Sequence, residues 1–153
     1  MNNDDLVSSL SLHQQRYIET IFELCIEHEH DHAHSKAIAE KLNIKMPSVT
    51  EALRTLSGLG LINYQVRKAI TLTDRGNQIA ETLDRRHKNL ASFFIGILGC
   101  DSVRANHFAC DIEHVIDGDL SNRISAFSEY MDKNTETDAN IFEDFKKQYI
   151  PEG

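Results

Sequence analysis

Residues 35–58 read SKAIAEKLNIKMPSVTEALRTLSG. Within residues 36–42 the apolar positions Ala37, Ile38, Ala39 and Leu42 have helical spacing, and Ser35 is placed to cap the first turn. Asn43, Ile44 and Lys45 make a turn. Pro47 then stands where a first-turn proline is tolerated, because the amide it lacks would have no intrahelical partner. Val49, Ala52, Leu53 and Leu56 mark the inward face of a second helix, which Gly58 and Gly60 end. Residues 61–64 and 69–72 are short strand-like runs around a basic tip, the pattern of a β-hairpin. Two short helices about a tight turn, followed by a hairpin, predict a winged helix-turn-helix.

Working outward, residues 9–27 carry Leu12, Tyr17, Ile18, Ile21, Phe22, Leu24 and Cys25 on an amphipathic helical pattern. The stretch EHEHDHAHS at 27–35 breaks it as a polar loop. Its histidines His28, His30, His32 and His34 alternate with acids; a solvated loop shows that pattern as readily as a metal-storage segment does. Downstream, Thr73 can cap a long helix running to about Leu98 and stopping at Gly99. Residues 102–115 contain no Pro or Gly and read as another helix. Residues 119–131 follow, with Leu120, Ile124, Phe127 and Met131 as a stripe, and residues 138–148 carry Ile141, Phe142 and Phe145 at helical spacing.

The 153 residues suffice for one core or for two small packed domains. No apolar run approaches the roughly 20 residues of a membrane span. The acidic start MNNDD is the reverse of a secretory signal. Cys25, Cys100 and Cys110 have no framework spacing, which predicts a reducing cytoplasm with Cys25 and Cys100 as small core residues.

The net charge of −8 conceals an asymmetry. Residues 36–75 hold seven basic and three acidic side chains, net +4, between flanks that are both acidic. This basic island coincides with the winged helix-turn-helix and predicts double-stranded DNA as a partner. Lys45, Pro47, Ser48, Thr50 and Glu51 lie at the start of the second helix, where short side chains reach base edges. Lys36, Arg54, Arg67 and Lys68 would serve phosphates.

Cys110, Glu113 and His114 form a Cys-x-x-Glu-His cluster. On a helix, positions i, i+3 and i+4 share a face, so a thiolate, a carboxylate and an imidazole would converge for mixed ligation of a transition metal. A metalloenzyme would also need an open metal position and a general base, for which no motif is present.

With both modules placed, the chain resembles the DtxR/MntR family, metal-dependent repressors typified by the diphtheria toxin repressor and the manganese transport regulator. The resemblance covers about residues 12–132. It rests on the order and spacing of Tyr17-Ile-Glu-Thr-Ile-Phe-Glu-Leu, Ile38-Ala-Glu-Lys-Leu, Pro47-Ser-Val-Thr, Leu72-Thr-Asp-Arg-Gly, Arg86-His87 and Cys110-x-x-Glu113-His114. It implies a mainly α protein: a winged helix-turn-helix with a small β-hairpin wing (residues 1–75), then an all-helical metal-binding and dimerisation domain (76–153). It further implies a cytoplasmic homodimer on a palindromic operator, controlling metal uptake genes with a divalent metal as corepressor. The larger members' SH3-like domain is not expected in so short a chain.

Carried over position by position, the implied ligands are Glu19, His87, Cys110, Glu113 and His114. The thiolate draws the expectation toward Fe²⁺, while Glu19 is the manganese-type residue; Fe²⁺ is placed narrowly ahead of Mn²⁺. Three departures bear on this set. Arg16 stands at a family ligand position and cannot ligate, so it is read as an ion-pair partner of Glu19 or Glu113. Ala91 replaces a frequent Glu. Asn106 replaces a further His of iron-type members, with His107 beside it as a substitute ligand. These departures motivate an alternative: a regulator of the same fold with weakened metal control that answers to oxidation of Cys110.

Overall fold

The computed structural model describes residues 3–27 and 32–149; the side chains of residues 3, 134–143, 145, 146 and 149 lie outside that description. Its elements are α1 (Asn3–Ser8), α2 (Leu12–Glu27), α3 (Ser35–Leu42), α4 (Met46–Gly58), β1 (Ile62–Asn63), β2 (Thr71–Leu72), α5 (Asp74–Gly96), α6 (Ser102–Ile112) and α7 (Gly118–Tyr149). The chain divides into two compact units, Met1–Asp84 and Arg85–Gly153, with the division inside α5.

The first unit is a winged helix-turn-helix. Helices α2, α3 and α4 bury Ile18, Ile21, Ile38, Val49, Leu53 and Leu56, each 0% exposed, together with Ile70 of the wing and Ile79 of α5. Each such side chain contributes on the order of 1.5–3 kcal/mol by leaving water. Pro47 falls in the first turn of α4, as its missing amide requires. The wing is a minimal antiparallel ladder, Ile62 opposite Leu72 and Asn63 opposite Thr71, reinforced by Asn63 Nδ2 donating to Thr71 Oγ1 at 3.0 Å. At the base of the wing, Gly76 of α5 packs so closely that a Cβ there would collide with the Leu61 carbonyl oxygen. This close approach accounts for the glycine in the Leu72–Gly76 motif. Thr73 caps α5 as expected, its Oγ1 accepting from the Gly76 amide at 3.2 Å while donating to the Gly60 carbonyl.

Several elements differ from the sequence expectation. The helix expected from residue 9 instead breaks: α1 precedes it, and α2 begins at Leu12. Ser11 and Gln14 form a reciprocal capping box, Ser11 N donating to Gln14 Oε1 (2.9 Å) and Gln14 N to Ser11 Oγ (3.3 Å). Buried Gln15 donates to the carbonyls of Val7 and Leu10, each at 3.0 Å, and holds the break in place. Ser35 is not the N-cap of α3. Ala33 exchanges two backbone hydrogen bonds with Ile70, which leaves His34 extended as the N-cap and draws Ser35 into the first turn. His32 and His34 meet edge to face, with ring centroids 5.1 Å apart; His28 and His30 lie outside the described residues.

The second unit comprises the end of α5, α6 and α7. Its core is small: Leu90, Ala91 and Ala109 are buried, with Phe94, Ile112, Ile116 and Ile124 packed partly around them. Helix α5 stops at Gly96, and the turn closes through Gly99 at φ 65°. Helix α6 stops at Ile112, short of the expected Val115. The two terminal helical patterns are one 32-residue helix, α7; the side chains of Ile141, Phe142 and Phe145 lie outside the described residues. Cys25 and Cys100 are half-buried. No helix among the described residues is long and apolar enough to cross a membrane.

Candidate metal centre and nucleic-acid interface

In the first unit, the DNA-contact candidates form an exposed surface. Lys36, Lys45, Pro47, Ser48, Glu51, Arg54, Arg67 and Lys68 are all exposed. Thr50 is half-buried, and its hydroxyl donates back to the Met46 carbonyl at 3.0 Å, so it is less available to a base edge than its neighbours. Arg67 sits at the wing tip with φ 63°, a left-handed conformation uncommon for a non-glycine residue. One cation of the basic island is committed elsewhere. Lys41 donates to Glu27 Oε1 at 2.6 Å and lies 3.0 Å from Glu23 Oε2, tying α3 to α2. Partial burial works to lower its pKa, but the hydrogen bonds and charges of Glu27 and Glu23 prevail and raise it above the ordinary lysine value. Burial also raises the pKa of Tyr17, whose hydroxyl has no hydrogen-bond partner among the described residues.

Glu19 lies half-buried on α2. Arg16, on the same helix, is exposed.

In the second unit, the structure gathers three of the expected ligands. Glu113 is wholly buried where the chain turns out of α6. Its Oε2 lies 2.7 Å from His87 Nδ1 of α5, and its Oε1 lies 3.4 Å from Nε2 of His114, whose side chain is 1% exposed. The turn is held to α5 by Arg86, itself buried, whose Nη1 donates to the Ile116 carbonyl at 2.9 Å. An imidazole flanks each oxygen of this carboxylate, and nitrogen and oxygen donors of this kind suit a first-row divalent ion. With Glu113 ionised and Nδ1 facing it at hydrogen-bond distance, a proton or a cation must lie between them.

Cys110 does not share this burial. It is exposed, one turn before a carboxylate that is not. Positions i and i+3 differ by about 60° around the helix, enough to set one inward and its neighbour at the solvent edge. His107 also faces solvent, with Nδ1 3.6 Å from Asp111 Oδ2 on its own helix. Ala91 is buried in the apolar cluster, where it packs rather than ligates. Sequence reasoning treated Asn106 as a lost ligand; in the structure its Oδ1 lies 3.0 Å from His87 Nε2. The only sequence signal for that contact was the position itself, on α6 one turn before Cys110.

Two family models match the chain in series. The N-terminal DNA-binding domain of iron dependent repressors matches residues 9–70, and their metal binding and dimerisation domain matches residues 73–141. The protein is thus a DNA-binding regulator controlled by metal, not an enzyme. Among its relatives is the HTH-type transcriptional regulator MntR of Shouchella clausii, 32% identical over 136 residues, 89% of this chain and 93% of that protein. Another is an uncharacterised HTH-type regulator of Methanocaldococcus jannaschii, 33% identical over 113 residues, covering 74% of this chain and 90% of the relative. A manganese-dependent transcriptional repressor solved in complex with manganese superposes with a TM-score of 0.68 at 28% identity, covering 76% of this chain and 53% of its own. The chain belongs to the DtxR/MntR family of metal-dependent transcriptional regulators.

Proposed function

We propose that the protein is a homodimeric repressor that binds a palindromic operator when a divalent metal occupies a site centred on His87, Glu113 and His114, and that its targets are metal uptake genes. The observation that carries this reading is Glu113, a fully buried carboxylate in contact with two imidazoles. Residues 1–75 act as the DNA-binding domain and residues 76–153 as the metal-binding and dimerisation domain. Glu19 and Cys110 join the ligand set on family resemblance. Metal acts by stabilising the DNA-competent conformation over its alternatives, which is a shift of population.

The exposure of Cys110 weakens the case for thiolate ligation and with it the preference for Fe²⁺ over Mn²⁺. Packing by Ala91 and the Asn106–His87 contact support a single site per subunit. Dimerisation is supported by apolar side chains that the small second core leaves in water, among them Val103 (80% exposed), Val115 (80%) and Tyr130 (60%). A homodimer presents two recognition helices related by a two-fold axis, which calls for a palindrome. The absence of a membrane-crossing helix among the described residues is compatible with work at DNA in the cytoplasm.

The test is capture from a pool of the organism's own genomic fragments, run anaerobically with Fe²⁺, Mn²⁺, Zn²⁺ or chelator. Enrichment of one palindromic site with a particular metal is expected. Equal capture in chelator refutes metal control. Metal-independent capture that mild peroxide abolishes would favour regulation through the exposed Cys110 thiol instead.

A further inference from the structure

We propose that Asn106 is the positioning residue that selects which ring nitrogen of His87 reaches the metal, holding Nε2–H away from the site so that Nδ1 is the ligand atom. The inference rests on the metal site proposed above. Asn106 Nδ2 donates to the Ser102 carbonyl one turn back along α6, at 2.7 Å. With its nitrogen committed, the amide presents only its oxygen toward α5, where Oδ1 stands 3.0 Å from His87 Nε2. An amide oxygen accepts and cannot donate, so the ring nitrogen facing it carries the hydrogen. The opposite nitrogen, Nδ1, is 2.7 Å from Glu113 Oε2. The imidazole is therefore gripped at both nitrogens, by Asn106 on α6 and by Glu113 in the turn that ends that helix, and the grip fixes its rotation with Nε2–H toward the amide. A metal that enters beside Glu113 meets Nδ1.

This gives Asn106 a role toward the metal without making it a ligand. A histidine ligand is oriented by what its other nitrogen bonds, and loss of such a partner commonly weakens metal affinity by about 10–100-fold. Asn106 is exposed, and its contact with His87 lies in reach of water. Removing the amide therefore leaves Nε2 solvated, and the ring is released to turn about its Cβ–Cγ bond.

The experiment uses the full chain labelled with ¹⁵N at histidine, treated with chelator and then loaded with Zn²⁺ as a diamagnetic probe. His87 is assigned from its absence in His87→Gln. In the wild type, Zn²⁺ is expected to shift Nδ1 of His87 to a metal-bound resonance while Nε2 keeps its hydrogen. Asn106→Leu is expected to give split or averaged His87 ring signals and roughly tenfold weaker Zn²⁺ binding, with an unchanged melting profile in chelator. Asn106→Asp, which keeps an acceptor toward Nε2, is expected to restore the single wild-type ring state. Coordination of wild-type His87 through Nε2 would overturn the assignment, as would an Asn106→Leu protein indistinguishable from wild type in ring signals and affinity. Failure of His87 to respond to Zn²⁺ at all would overturn it together with the metal site beneath it, while the other two results leave that site standing.

Discussion

Replacing Glu113 by glutamine removes one negative charge from a fully buried position while keeping the side chain's shape. Without metal the change is mild: the glutamine amide can donate an N–H to His87 Nδ1 across the present 2.7 Å, and a buried charge is no longer required. With metal the loss is large, because an anionic ligand becomes a neutral one. The difference between the two states is measurable by melting. At a metal concentration about 100 times Kd, binding stabilises the wild type by about 2.7 kcal/mol. For a chain of this length each kcal/mol moves the midpoint by about 2–4 °C, so the expected rise is roughly 5–10 °C. If Glu113→Gln weakens binding about 100-fold, the same metal concentration sits at Kd and the stabilisation falls to about 0.4 kcal/mol, a rise of roughly 1–2 °C. Melting by circular dichroism with Mn²⁺ and with chelator, on both proteins, reads these shifts directly. A Glu113→Gln protein that keeps the full metal-dependent rise would refute the placement of Glu113 at the heart of the site.

Gly76→Ala is expected to destabilise the first unit by about 3 kcal/mol or more in urea unfolding, because the new Cβ meets the Leu61 backbone carbonyl, which cannot swing aside; Gly58→Ala, with nothing within 4 Å of its Cβ, should leave stability unchanged or improve it by a few tenths to about 1 kcal/mol. Arg67→Ala and Lys68→Ala should each weaken DNA binding across sequences and reduce the salt dependence of log K by about 0.9, whereas Ser48→Ala should alter base preference with little change in that slope. A competition assay at several salt concentrations separates the two behaviours. Stability should decline in alkali. The Lys41 and Tyr17 pKa values are both raised in the folded protein, so their contributions are fully present below the unfolded values near 10 and are lost as pH rises through the folded ones. Tyr17→Phe removes a buried hydroxyl that has no partner among the described residues; it should be neutral or stabilising at pH 7 and should flatten part of the alkaline decline in a urea-midpoint series.

What could be read from residue order alone was local in origin. The helix-turn-helix of residues 35–58 declared itself because apolar residues recur at the helical period, and because Pro47 and the glycines that end α4 punctuate the pattern at fixed offsets. The Thr73 cap belongs to the same class, since its partner, the Gly76 amide, is three residues away. Even the missed break before α2 had a local signature, the Ser11–Gln14 pair, although the apolar stripe continued through the region and concealed it.

Distant partners decided the rest. Ser35 lost the capping role because Ala33 pairs with Ile70 of the wing, a bond that no window of sequence contains. Lys41 was removed from the DNA-facing charge by carboxylates on α2. The candidate metal ligands were nameable from resemblance, but the split within Cys110, Glu113 and His114 was not. Helical spacing places the three on one face, and only packing determines where along that face the solvent boundary falls, here between exposed Cys110 and buried Glu113. His87 meets Glu113 across 26 positions and Asn106 across 19. Backbone periodicity sets which way a side chain points from its own helix. What it meets there depends on how a second helix docks, and docking is governed by the summed burial of many apolar side chains rather than by any short motif.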